Sequence, residues 1–69
     1  MQISINANGE KINIDNSTTS LAEFLREHEY DAQRVAVEKN GEIVPRKNFE
    51  TEMLSDSDKI EIVHFVGGG

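Results

Sequence analysis

The sequence predicts an α+β domain in which one long helix packs across one face of a sheet, and three observations lead there. Short runs of residues carry apolar side chains at every second position, the period of a half-buried strand. One run between them changes to helical spacing, with apolar residues at i, i+3, i+4 and i+7. Asn-Gly pairs at Asn8-Gly9 and Asn40-Gly41 punctuate the strands, and both residue types tolerate the positive φ of a tight hairpin turn. The expected order is β-β-α-β-β-β.

Met1, Ile3 and Ile5 alternate with Gln2, Ser4 and Asn6 as the first strand. After the Asn8-Gly9 turn, Ile12 and Ile14 resume the alternation, so the first unit is a β-hairpin. Leu21, Phe24, Leu25 and His28 then form the inward stripe of the helix, with Glu23, Arg26 and Glu27 facing water. Ser20 followed by Glu23 is a capping box, each side chain answering a backbone N–H of the other residue. Val35 and Val37 mark the third strand, and Ile43-Val44 begins a short fourth one. Pro45 has no N–H to give a ladder, so that strand ends there or runs along an edge. The stretch RKNFETEML reads as irregular, anchored inward by Phe49 and Leu54. Ser55 to Asp58 is a turn, and Lys59 to Val66 is the last strand.

With 69 residues the chain is one small domain, near the lower limit for folding on a single core. No apolar run approaches the 18 or so residues that span a bilayer, and the start lacks the features of a secretory signal. A cytoplasmic protein without a membrane partner is the simplest expectation. The absence of cysteine excludes disulfides, thiolate metal sites and a nucleophilic thiol. A net charge of −6 argues against nucleic acid, which asks for clustered Lys and Arg. It suits a protein partner with a basic face, or serves only to keep a monomer soluble.

Catalysis within the chain is not expected. His28 and His64 fall on different elements and read as structural residues, since a metal site needs several convergent ligands. No nucleophile elbow, P-loop or paired-acid motif occurs. In the last strand Ile60 and Ile62 point towards the helix, which leaves Val63 and Phe65 on a face that no second helix covers. Val63, Phe65 and the adjoining Val66 are therefore candidate partner-binding residues, an aromatic side chain being a common interface anchor.

Directly after them come Gly67, Gly68 and Gly69. Three extended residues reach about 10 Å past a strand, and without Cβ atoms they fit a narrow cleft in another protein. A terminal carboxylate at Gly69 is ionised at neutral pH and is a poor acyl donor until activated. Attack on the α-phosphate of ATP would supply that activation, after which a sulfur or nitrogen nucleophile could displace AMP. Mg²⁺ and basic residues of an enzyme are needed for it, because such chemistry rests on positioning and charge neutralisation. A frayed tail is the plain alternative.

The β-β-α-β order with a terminal diglycine, the run GEIVPR at Gly41–Arg46, the acidic turn SDSDKIEIV at Ser55–Val63 and the closing HFVGGG resemble the ThiS family of thiazole (thiamine) biosynthesis. These are ubiquitin-like β-grasp sulfur carriers, and the resemblance covers the whole chain. It implies a mixed sheet of four to five strands with the helix across one face. A β-grasp domain over residues 1–66 would end in a flexible Gly-Gly-Gly arm at residues 67–69. It also implies a co-substrate rather than an enzyme. An E1-like adenylyltransferase of the ThiF type, using ATP and Mg²⁺, would adenylate Gly69, with Gly67 and Gly68 as its arm. No cofactor would be bound by the carrier itself. A cysteine desulfurase would supply sulfur indirectly, the end would become a thiocarboxylate, and a thiazole synthase of the ThiG type would take the sulfur. The third glycine, Gly67, exceeds the family's minimal pattern of two. The small subunit of molybdopterin synthase, a ubiquitin-like modifier and a plain binding module remain as alternatives.

Overall fold

The computed structural model describes residues 2–15 and 19–65. Met1 of the expected first strand and Val66 of the expected last one lie outside them. Five strands and one helix follow the anticipated order: β1 (Ile3–Ala7), β2 (Glu10–Ile14), α1 (Leu21–Glu27), β3 (Val35–Lys39), β4 (Glu42–Val44) and β5 (Lys59–His64). A 3₁₀ turn at Arg46–Asn48 precedes β5. The strands lie in one sheet in the order β2-β1-β5-β3-β4. Among the described residues only β1 and β5 run parallel, so the sheet is mixed.

Both Asn-Gly pairs make the turns expected of them. Asn8 and Gly9 adopt φ of 53° and 83°, and Asn40 and Gly41 adopt 54° and 87°. Positive φ at both central residues matches the turn's twist to that of the flanking strands, as a type I′ hairpin requires. β4 ends at Val44, one residue before Pro45.

The core is one layer between the sheet and α1. Ile3, Ile5, Val35, Val37, Ile60 and Ile62 point inward from the strands and meet Leu21, Phe24 and Leu25. Phe49 and Leu54 are buried as expected, and the segment holding them does a second task. Its carbonyls at Glu52 and Phe49 accept the N–H groups of Leu21 (2.7 Å) and Ala22 (2.8 Å). The N–H of Glu23 bonds the Ser20 hydroxyl at 3.2 Å, and the Glu23 carboxylate answers the Ser20 N–H at 3.2 Å. The free donors of the helix start are thus all satisfied, half by the capping box and half by a distant loop.

The helix is shorter than expected, with seven residues, and His28 does not extend its buried stripe. His28 is the C-cap, at φ −101° and ψ 15°, so its side chain leaves the helical path and is exposed. Its ring stays near Phe24, with centroids 4.4 Å apart. Glu29 follows in the left-handed region at φ 62°. The N–H groups of Glu29 and Tyr30 bond the carbonyls of Arg26 and Leu25, the pairing that closes a Schellman motif. Tyr30 then packs back against the core. β5 is also shorter than expected, ending at His64, with Phe65 just beyond the strand. Among the described residues no helix is long and apolar enough to cross a membrane.

Candidate functional site

The face of the sheet turned away from α1 has two unlike halves. On β1 and β2 it carries Ser4, Asn6, Lys11 and Asn13, with the Ser4 hydroxyl bonded to Asn13 at 2.7 Å. On β3, β4 and β5 it carries Ala36, Ile43 and Val63 together with Glu38, Lys59 and Glu61, with Phe65 next to the end of β5. Ile43 is 75% exposed, Val63 60% and Phe65 52%, against 0% for Ile60 and 7% for Ile62 on the same strand. Strand alternation produces that split, since neighbours along β5 project to opposite faces. The outward placement of Val63 read from the sequence therefore holds, and Phe65, just beyond the strand, is exposed.

Ile43 was not among the expected docking residues. A signal for it was present, because an inward Val44 turns the preceding residue outward in a strand. A groove of about 240 Å³ runs beside it, bordered by Ala36, Pro45, Arg46, Phe49 and Phe65 among others.

The GEIVPR run shapes one wall of this groove. Val44 fills the core, Pro45 stops the strand, and Arg46 turns back over the segment between α1 and β3. Its guanidinium donates to the carbonyls of Ala32 (2.9 Å), Gln33 (3.3 Å) and Val35 (3.3 Å). One planar fork of donors thereby holds three acceptors near the start of β3. Arg34, within the same stretch, accepts through its carbonyl from the N–H of Phe65 at 2.8 Å. Val66, Gly67, Gly68 and Gly69, the remaining residues of the candidate site, lie outside the described residues.

His28 and His64 stand on different elements, at the C-cap of α1 and on β5, and both are exposed. Among the described residues no three His, Cys, Asp or Glu side chains are placed to hold a metal ion.

Comparison with known proteins gives this arrangement a context. The model of the ThiS family matches residues 2–69. The sulfur carrier protein ThiS of Bacillus subtilis is 37% identical over 62 residues, covering 90% of this chain and 94% of its own. A thiazole synthase of Paramagnetospirillum magneticum is 47% identical over 62 residues, covering 90% of this chain. This chain spans only 19% of that protein's length. Among solved structures, the crystal structure of the thiamine biosynthesis protein ThiS from Geobacter metallireducens superposes with a TM-score of 0.83 at 30% identity. That match covers 97% of this chain and all of the other, and it carries the β-grasp assignment of the fold.

Proposed function

Because the chain belongs to the ThiS family, we propose that it is a sulfur carrier of thiamine biosynthesis, a co-substrate whose reactive group is the carboxylate of Gly69. The observation that carries this reading is the end of β5: its uncovered Val63 and the exposed Phe65 just beyond the strand stand within four residues of the three glycines in the sequence. A partner docked on Ile43, Val63 and Phe65 would have the glycines close by in the sequence.

The chemistry follows from the weakness of a carboxylate as an acyl donor. A carboxylate oxygen of Gly69 attacks the α-phosphorus of ATP in an E1-like adenylyltransferase, and pyrophosphate leaves. The resulting acyl-adenylate has AMP as a good leaving group. A sulfur nucleophile derived from cysteine by a desulfurase attacks the carbonyl carbon, and AMP leaves with the C–O bonding pair. Hydrosulfide gives the thiocarboxylate directly. A persulfide gives an acyl disulfide whose S–S bond a second thiol cleaves, forming a disulfide with the donor's sulfur and releasing the thiocarboxylate. ATP and Mg²⁺ belong to the adenylating enzyme, which supplies the positioning and charge neutralisation. Thiazole synthase is the proposed sulfur acceptor. Support for it comes from the thiazole synthase that contains a stretch 47% identical to this chain, as expected if carrier and acceptor act together. In this reading residues 1–66 form the carrier domain, residues 67–69 the arm, and the protein works as a cytoplasmic monomer between partners.

The test is intact mass after incubation with MgATP, cysteine and an extract of the host. Replacement of one oxygen by sulfur, mapped by fragmentation to Gly69, is the expected result. Removal of Gly69, or addition of a residue after it, should abolish that change without unfolding the domain. A normally loaded Gly69 deletion would sink the proposal, and a lysine-linked adduct would point to a modifier instead.

A further inference from the structure

Asn8 has more to do than its turn requires. An Asn-Gly hairpin needs a residue tolerant of positive φ at its first central position, and Gly or Asp would serve as well as Asn. Here the Asn8 side chain leaves the turn and reaches Ile62, 54 residues further along the chain. Its Oδ1 accepts from the Ile62 N–H at 2.7 Å, and its Nδ2 donates to the Ile62 carbonyl at 3.2 Å. A carboxamide offers one acceptor and a donor in a plane, so it can stand in for a peptide group in a sheet ladder.

The position of this contact matters because the backbone ladder stops short of it. The parallel pairing of β1 with β5 comprises Asn6 with Lys59 and Ala7 with Ile60, and the Asn8 N–H adds a bond to the Ile60 carbonyl at 2.9 Å. The hairpin then turns away. On the other side β3 accompanies β5 further, through the pairs of Ala36 with Val63 and Val35 with His64. The Asn8 side chain thus extends the β1 side of the ladder by two residue positions, from Ile60 to Ile62, just before Val63.

We propose that Asn8 is a positioning residue for the carrier arm: its carboxamide holds the β1-side edge of β5 as far as Ile62, opposite the edge that β3 holds, and so sets the direction in which the chain leaves the sheet. This inference rests on the carrier reading. Without the clamp, β5 from Ile62 onward is held from the β3 side alone. It can then twist about that edge, and the arm samples directions that miss the adenylation site. Docking changes little, because Val63 and Phe65 keep their backbone partners on the β3 side.

Asn8→Gly separates the two tasks of the residue, since Gly accepts the positive φ and removes the carboxamide, at a small entropic cost that the melting temperature reads separately. Amide hydrogen exchange of the full chain should show Ile62 opening about tenfold faster, in line with the loss of one or two hydrogen bonds. Pyrophosphate–ATP exchange with the cognate adenylating enzyme should show kcat lowered about tenfold with KM changed by less than a factor of about two. A role in stability alone would lower the melting temperature and leave both kinetic parameters intact where the variant is folded, which overturns the proposal. Unchanged exchange at Ile62 overturns it as well. If the wild-type chain is not adenylated at all, the carrier reading falls and takes this inference with it. Wild-type kcat in Asn8→Gly beside fast Ile62 exchange removes the inference and leaves the carrier reading standing.

Discussion

Asn40 and Asp58, eighteen residues apart, meet side chain to side chain at 2.9 Å, and the contact ties the β3–β4 turn to the acidic turn before β5. The Asp58 carboxylate also accepts from the Ser55 N–H at 2.8 Å, and the Lys39 ammonium lies 3.8 Å away. Asn40 completes the junction by accepting from the Lys59 N–H at 2.9 Å. The first residue of β5 is therefore placed by side chains from two turns.

Replacing Asp58 by Ala should be among the costlier polar changes in the chain. Asp58 is 7% exposed, and its loss takes the carboxylate acceptor from the Ser55 N–H and the Asn40 amide and leaves its own buried site unfilled. A cost of about 2–3 kcal/mol is expected for bonds to a buried charged group. For a domain of this size, that corresponds to a fall in melting temperature of roughly 10–20 °C. A melt within a few degrees of wild type would show that solvent replaces the carboxylate.

Glu29→Gly should stabilise the protein. Glu29 holds φ of 62° after the helix C-cap, a conformation in which a Cβ crowds the following carbonyl. Relief of about 1 kcal/mol is expected, a rise of roughly 4–8 °C in the thermal midpoint. Circular dichroism melts of the two proteins decide it, and a fall would mean that the Glu29 side chain makes a contribution larger than its strain.

Ser20→Ala tests the capping box. The hydroxyl accepts from the Glu23 N–H at 3.2 Å, and α1 has only seven residues over which to spread the loss of an end. Destabilisation of about 1 kcal/mol should follow, read as a shifted midpoint in urea with an unchanged slope. An altered slope would instead report a change in how much of the chain unfolds together.

Phe65→Asp should separate docking from folding. Phe65 is about half exposed, and its backbone bond to Arg34 does not depend on the side chain. Stability should move by less than about 0.5 kcal/mol, the usual range for surface changes. Affinity for the adenylating enzyme should drop by about tenfold or more if the ring is an interface anchor. Thermal melting and calorimetric titration together are decisive; unfolding would reassign Phe65 to the core, and undiminished binding would move the docking surface elsewhere.

Much of the fold was legible because its signals are short in range. Asn8-Gly9 and Asn40-Gly41 announce their turns through the φ that each residue tolerates. Leu21, Phe24 and Leu25 announce the helix by spacing, and Val63 and Phe65 announce the open face by parity with Ile60 and Ile62. His28 shows where such reasoning fails: it fits the helical period, yet the chain had already left the helix, because Tyr30 gains more by closing the cap and packing on the core. Arg46 was legible as part of a motif but not as a clamp on Ala32, Gln33 and Val35. Ile43 was legible in principle, through Val44, and was passed over.

By itself the sequence determined the type and order of the elements, the two hairpin turns, the capping box and the outward parity of Val63 on β5. Each of these depends on backbone preferences and side-chain spacing within a few residues, and such terms act whether or not the rest of the chain has folded. Only the tertiary structure decided that β5 lies at the centre of the sheet beside β1, that the Phe49–Glu52 carbonyls cap α1, and that Asn8 holds Ile62. Those pairings join residues about thirty to more than fifty positions apart. Closing such loops costs entropy that no local preference repays, so they form only where burying the core and satisfying every backbone group are achieved together.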